Sequence, residues 1–173
     1  MKDKRSTAYH EAGHAVVQAY FRLKIDRVSI ISNADSLGHM KGRIGTDSSI
    51  EYEDSGRVQL AVERDAIVFL AGMAAQKEFM PRSVRNHHGR SDYRNAISLL
   101  VKLASSEELK LYLKLLEIRA RRLVRRPILR VQIEAVAKEL LRRKEMNGEQ
   151  VKKVIRDAMR LYSFSPRSRS GVS

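Results

Sequence analysis

Two histidines separated by four positions, His10 and His14, restrict how the beginning of the chain can fold. Residues four apart lie on one face of an α-helix, about one turn from each other. Ser6 and Thr7 are good N-cap residues, and apolar side chains then recur at close to helical spacing over residues 8–23. The sequence therefore predicts a helix over residues 8–23 that carries both imidazoles on the same face.

The five residues from His10 to His14 read His-Glu-Ala-Gly-His and match the pattern H-E-x-x-H. Two imidazoles one turn apart can hold one zinc ion at roughly 2.0–2.1 Å. Glu11 follows the first ligand, so it lies beside the metal and can take a proton from a metal-bound water. Gly13 inside a helix is unfavourable by about 1 kcal/mol relative to Ala, which indicates a packing or active-site reason. Short motifs also occur by accident, so the five residues alone do not decide the function.

A catalytic zinc site normally has three protein ligands and one open position. The chain has no cysteine, so the third ligand has to be a histidine or a carboxylate. The candidates that the residues leave open are His39, His87, His88, Glu63, Glu78 and Asp92. Asp92 follows a loop and begins a helix, which is a good place to present a carboxylate. An Asp at that position also complements a helix N-terminus without binding a metal.

The remaining pattern predicts a mainly α-helical protein with a small β-sheet, an α+β fold. Residues 27–32 and 37–44 have the composition of strands. The later segments with helical periodicity and plausible caps are residues 54–80, 92–104, 106–125, 127–145 and 149–161. We therefore expect a zincin-like active-site helix, then a small sheet, then a helical bundle.

Several segments together resemble the peptidase domain of the FtsH-type ATP-dependent zinc metalloproteases. They include A-Y-H-E-A-G-H-A-V-V, L-A-G-M-A-A and G-R-S-D, and their positions in the chain are residues 8–17, 28–30, 36–40, 70–75, 89–92, 137–141 and 147–151. The resemblance spans roughly residues 7 to 157. The order and spacing of these motifs are more specific than H-E-x-x-H alone. The sequence departs from the family pattern at Met73 and Gln76, where the pattern has Arg and Glu.

The resemblance implies a Zn²⁺ cofactor and a role for four residues. The implied zinc ligands are His10, His14 and Asp92, and Glu11 is the implied general base. The resemblance also implies one zinc metallopeptidase domain over residues 1–163, and residues 164–173 have the composition of a basic, disordered tail.

The same resemblance suggests how a polypeptide substrate is held. The segment that contains Leu37, Gly38 and His39 would line the cleft, where an extended substrate adds as a strand through backbone hydrogen bonds. The predicted function is zinc-dependent endopeptidase activity. We expect the substrates to be flexible or unfolded polypeptides, because the sequence has no G-x-x-x-x-G-K-[ST] phosphate loop with which to bind ATP and drive unfolding. The sequence leaves open whether a separate ATPase or an acidic protein is a partner, and it does not determine the oligomeric state.

The charge of the chain suggests two alternatives. A net charge of +14 favours anionic partners, and a basic run is formed by Arg119, Arg121, Arg122, Arg125, Arg126 and Arg130. No aromatic residues alternate with this run, so nucleic acid is the weaker interpretation. The alternatives are a non-catalytic metal-binding adaptor and a basic partner- or nucleic-acid-binding module.

No signal peptide and no apolar run of roughly 20 residues is present, so we expect a cytoplasmic protein without a membrane span.

Overall fold

The structure, a computed structural model, describes residues 4–31, 55–84 and 89–163. This part is mainly helical with a small two-stranded sheet, which confirms the predicted fold class. In chain order the elements are α1 (Lys4–Tyr20), β1 (Arg27–Ser29), α2 (Ser55–Phe79), α3 (Arg90–Leu100), α4 (Ser106–Val124), α5 (Pro127–Arg143), β2 (Glu145–Asn147) and α6 (Gly148–Ser163), and a 3-10 helix at Pro81–Ser83 follows α2. The division into a domain over residues 1–163 and a tail over residues 164–173 stays a prediction.

The helices α1 and α2 run antiparallel and pack closely along each other. At one end the ring of Tyr9 stacks on that of Phe79, with the ring centroids 4.8 Å apart. Near the middle, a Cβ on Gly13 would lie 2.6 Å from the Cβ of Ala75 and 2.7 Å from the carbonyl oxygen of Ala71. Only glycine permits this approach, so the reason for Gly13 inside a helix is the packing of α1 against α2.

The central element is α2, which packs against α1, α3 and α4. Its residues Ala66, Val68, Ala71 and Ala75 are fully buried. A helix that is covered on several sides is apolar around much of its circumference. Even so, neither α2 nor another helix in the described part has an apolar stretch long enough to span a bilayer. α1, α3 and α4 bury α2, which lies at the centre of the helical packing.

The sheet joins two distant parts of the chain. β1 pairs antiparallel with β2 in the register Arg27 with Asn147, Val28 with Met146 and Ser29 with Glu145. Val28 and Met146 are buried. The sequence predicted a helix up to residue 145 and no strand where β2 lies, and this prediction was wrong. The predicted strand over residues 37–44 lies outside the described residues.

The start of α1 and the ends of α1 and α5 differ from the predictions. α1 begins at Lys4, and Ser6 is buried inside the helix instead of capping it. α1 ends at Tyr20 because Arg22 adopts a left-handed conformation with φ 59°, which turns the chain toward β1. α5 likewise ends at Arg143, and its C-cap Lys144 has a φ of 70°. Non-glycine residues rarely adopt this conformation, so composition gave no indication of either stop.

Candidate metal centre

The three residues implied as zinc ligands lie together in the structure. The Nε2 atom of His10 lies 2.9 Å from Oδ2 of Asp92, although 82 positions separate the two residues. The Nε2 atom of His14 lies 3.0 Å from Nε2 of His10 and 3.4 Å from Oδ2 of Asp92. Each residue therefore contributes one potential ligand atom to a single point between α1 and α3.

These separations fit a tetrahedral ion. Ligands at roughly 2.05 Å from a tetrahedral zinc lie about 3.3 Å from each other. The observed separations of 2.9, 3.0 and 3.4 Å are close to that value. Two imidazole nitrogens and a carboxylate oxygen are a donor set that zinc accepts, and three protein ligands leave a fourth position open. The His-His-Asp group could therefore hold a metal ion.

The orientation of His14 is fixed by the backbone of α2. Its Nδ1 atom donates a hydrogen bond to the carbonyl oxygen of Val68 at 2.8 Å. With the proton of Nδ1 committed to that bond, the lone pair available for a cation is the one on Nε2. Metal-binding histidines commonly make such a bond through the ring nitrogen that does not bind the metal. His14 is also buried, so its ring has little freedom to turn away.

The electrostatics of the cluster favour a positive charge between the three ligand atoms. Burial lowers the pKa of His14, but the hydrogen bond with Asp92 and the negative charges of Asp92 and Glu11 outweigh it and raise the pKa to about 9. Burial raises the pKa of Asp92, but hydrogen bonds from His10 and His14 and their charges bring it well below its usual range. Asp92 is therefore an ionised carboxylate in a largely buried place, which a proton or a cation has to neutralise.

Gly72 on α2 forms the floor of the cluster. A Cβ at this position would overlap the ring of His14, 2.6 Å from its Cε1 atom, and would lie 2.8 Å from Nε2 of His10. The backbone of α2 thus comes directly against the two histidine rings, and any side chain there would enter the space beside their ligand atoms. Sequence reasoning did not assign Gly72 to the site, although its L-A-G-M-A-A segment was part of the resemblance.

The path from α2 to α3 presents Asp92. Gln76 is buried, and its Nε2 donates to Oγ of Ser83 at 3.1 Å, which fixes the 3-10 helix after α2. Gly89 is the N-cap of α3 with φ 70°, and a Cβ there would lie 2.7 Å from Cε of Met73. The N-cap is therefore Gly89, and α3 begins at Arg90, two positions before the predicted start at residue 92. Asp92 lies in the first turn of α3 and reaches both histidines.

The other predicted residues divide into three groups. Glu11 is half-buried beside the ligands on α1, and its charge acts on His14. Glu63 and Glu78, two of the third-ligand candidates, bind arginines instead: Glu63 contacts Arg119 at 2.7 Å, and Glu78 contacts Arg125 and Arg130. The residues outside the described part are Leu37, Gly38, His39, His87 and His88.

Much of the basic run ties helices together. Besides the pairs with Glu63 and Glu78, the guanidinium of Arg126 donates to the hydroxyl of Tyr20 at 2.8 Å and lies 5.5 Å from the centroid of its ring. These contacts link α4, the turn after it and α5 to α1 and α2. Four of the six arginines thus have partners within the protein, which reduces the positive charge available to an external anion.

A helix-borne pair of histidines, closed by a distant aspartate, defines a candidate mononuclear metal site in a mainly helical protein. The chain is similar to the "ATP-dependent zinc metalloprotease FtsH" of Rickettsia conorii, with 33% identity over 100 residues. It is similar to the same extent to the protein of that name from Rickettsia prowazekii. Each alignment covers 57% of this chain and 15% of the relative, so the match involves a small part of those proteins. No family model matches the chain.

Proposed function

We propose that the chain is a zinc-dependent endopeptidase that hydrolyses peptide bonds of flexible or unfolded polypeptides. The observation that carries this proposal is the convergence of His10 Nε2, His14 Nε2 and Asp92 Oδ2 within 3.4 Å of one another. Glu11 follows His10 on the same helix, and its negative charge acts on His14. The similarity to zinc metalloproteases over 100 residues supports the same interpretation.

Each residue has a separate task in the proposed reaction. His10, His14 and Asp92 would hold the ion and leave one position open. A zinc ion bound there would act as a Lewis acid, which makes water a stronger nucleophile and polarises the scissile carbonyl. Glu11 would accept the proton that the attacking water loses and then donate it to the leaving amine. The hydrogen bond from His14 to Val68 would keep the ring in place during this transfer.

The proposed substrate class follows from what the sequence contains. Its 173 residues include no phosphate-loop motif, so we assign to them cleavage and not the unfolding of a substrate. An extended polypeptide would bind by strand addition at the segment with Leu37, Gly38 and His39. This part of the proposal rests on the sequence resemblance, because the segment lies outside the described residues.

The variant Glu11→Gln tests the catalytic role directly. Gln keeps the size of the side chain but cannot accept the proton, so hydrolysis of an unstructured peptide should fall by roughly 10²–10⁴-fold. Zinc per chain, measured by elemental analysis, should stay at the wild-type value because Glu11 is not a ligand. The matched control is Glu134→Gln on α5, where the carboxylate binds Lys138 on the same helix. This control should retain full activity.

The same experiment separates the enzyme from a non-catalytic adaptor. Equal hydrolysis by wild type and Glu11→Gln would reject the endopeptidase. Zinc bound by both proteins, with no turnover by either, would indicate that the metal serves only folding or binding. Removal of zinc by a chelator has to abolish the wild-type activity and readdition has to restore it. Activity that persists in the chelator would come from a contaminating protease.

A further inference from the structure

Helix α4 carries apolar residues on two opposite faces. On the inner face Leu113, Leu116 and Leu123 are buried in the core. On the outer face Leu111, Leu115 and Ile118 are exposed by 74%, 42% and 38%. The second set has the spacing i, i+4, i+7, so its members lie in one row along the helix. We call these three residues the outer stripe, which has no covering element within the described part of the chain.

Charges of opposite sign lie at the two ends of the outer stripe. Glu107 and Glu108 are in the first turn of α4, and Arg121 and Arg122 are in its last turn. Glu108 takes part in a capping box with Ser105. The side chains of Glu107 and the two arginines make no hydrogen bond or ion pair with any residue in the ranges 4–31, 55–84 and 89–163. Both ends thus offer charges that a partner could neutralise.

We propose that the outer stripe is the contact between two copies of this chain, which pair through antiparallel α4 helices about a two-fold axis near residues 114 and 115. This axis brings Glu107 to Arg121 of the second copy and Leu111 to Ile118 of the second copy, and Leu115 meets its own counterpart. The contact of Glu107 with Arg121 and that of Leu111 with Ile118 each occur twice, because the interface is isologous, and the Leu115 contact lies on the axis and occurs once. Lys114 lies beside the axis and is already paired with Glu117 at 3.5 Å.

The pattern of charges selects a second copy in this orientation. A parallel pair would bring acidic end to acidic end and basic end to basic end, with the two helix dipoles aligned. The antiparallel pair brings opposite charges together and opposes the dipoles. A different protein would have to supply acidic groups at one end and basic groups at the other, together with an apolar row between them. The second copy already has this arrangement.

The contact involves one helix from each copy, so we expect weak, concentration-dependent association at the small end of the range for specific interfaces. The net charge of +14 opposes association at long range. At about 0.15 M salt this repulsion is screened beyond about 8 Å, while the close pairs at the interface are screened less. Sedimentation equilibrium of the 173-residue chain from about 1 to about 200 µM should therefore show a monomer–dimer equilibrium.

Two single variants test the interface. Leu111→Glu places a charge in the outer stripe and should abolish the dimer. Leu161→Glu is the matched control, because Leu161 on α6 is exposed by the same 74% and lies outside the stripe. This control should dimerise like wild type. A dimer that tolerates Leu111→Glu would place the interface elsewhere. A wild-type chain that remains monomeric up to about 200 µM would overturn the proposal and leave the stripe to a different occupant.

A charge-reversal pair tests the antiparallel register. Glu107→Arg alone and Arg121→Glu alone should each weaken dimerisation by more than about tenfold, because like charges then meet at both ends of the interface. A 1:1 mixture of the two variants should restore dimers, since every facing pair in the heterodimer has opposite charges. Failure of the mixture to associate would reject the register. Circular dichroism and zinc content of each variant have to match wild type, and neither readout depends on peptidase activity.

Discussion

Two carboxylates in this protein have similar burial but different chemistry. The side chain of Asp92 is 14% exposed and that of Glu78 is 20% exposed, and each lies between two nitrogen-bearing side chains. The neighbours of Glu78 are the guanidinium groups of Arg125 and Arg130, which stay protonated and have no lone pair to offer. The neighbours of Asp92 are imidazoles, which can lose a proton and become ligands. The chemistry of the neighbouring donors distinguishes the two sites, although the two carboxylate side chains are similarly exposed.

The supports of the two clusters differ as well. Around Asp92, the ring of His14 is held by the carbonyl of Val68 and lies against Gly72, so two backbone groups of α2 limit its movement. Around Glu78, the arginines are long side chains whose exposures are 61% and 42%. The cluster at Asp92 is therefore preorganised for an ion, whereas the cluster at Glu78 joins helices through adaptable contacts.

The largest expected effect is on zinc affinity. Asp92→Asn removes a charged ligand and should weaken zinc binding by more than about 100-fold, since loss of an outer-shell partner alone weakens it by about 10- to 100-fold. Glu78→Gln should leave the affinity unchanged because its neighbours cannot bind a metal. Competition with a chromophoric chelator measures both. If the two variants bind zinc equally well, the distinction between the two carboxylates fails.

A smaller effect is expected from Gly72→Ala. The added methyl group would overlap the histidine rings, so the metal-free protein should lose about 1 kcal/mol or more of stability, and zinc affinity should fall. Gly56→Ala is the control, because a Cβ on Gly56 meets nothing within 4 Å. This control should gain up to about 1 kcal/mol from helix propensity. Urea unfolding in a chelator compares the two. A Gly72→Ala variant that is more stable than wild type and binds zinc normally would show that the backbone at Gly72 does not lie tightly against the histidine rings.

The smallest expected effect concerns Glu78 and its dependence on pH. Arg125 and Arg130 hold the pKa of Glu78 below its ordinary value of 4.5. A carboxyl whose pKa is lower in the folded state contributes stability above its unfolded pKa and loses that contribution as the pH falls through the folded pKa. Glu78→Gln should therefore lose about 1 kcal/mol at neutral pH. The difference from wild type should shrink below pH 4.5.

Urea unfolding from neutral to acidic pH would measure this difference. If the stability difference between wild type and Glu78→Gln grew as the pH fell, Glu78 would not be a carboxylate that Arg125 and Arg130 stabilise. Glu134→Gln, which removes a pair between neighbouring turns of one helix, should show a smaller gap of about 0.3–0.5 kcal/mol at neutral pH.

The predictable part of the fold is the part with local physical causes. α4 begins beside Ser105, where a capping box with Glu108 satisfies the first backbone donors, and α5 begins at Pro127, which suits a first helical turn. The start of α1 and the position of β2 were missed. A three-residue strand shows no periodicity, and the left-handed Lys144 that precedes β2 is a residue whose type does not indicate that conformation.

The candidate metal site likewise has a part that the local sequence predicts and a part that depends on the packing of distant segments. The spacing of His10 and His14 within one helix placed both imidazoles together, because that geometry is local. The residues alone left six candidates for the third ligand. The local sequence favoured Asp92 weakly and the resemblance favoured it strongly, because the position of Asp92 depends on the packing of α3 against α2. The contribution of Val68 was missed because it comes from a backbone carbonyl, which any residue type could supply.

The pairing of β1 with β2 can form only late in the synthesis of the chain. Arg27 and Glu145, which form an ion pair across this sheet, are 118 positions apart. At the usual pace of translation, β1 leaves the ribosome about 6 to 24 s before its partner. During that interval the side of α1 that α5 later covers is also without its neighbour. The contacts of both histidines with α2 and α3 can therefore form before α5 and β2 complete the packing of α1.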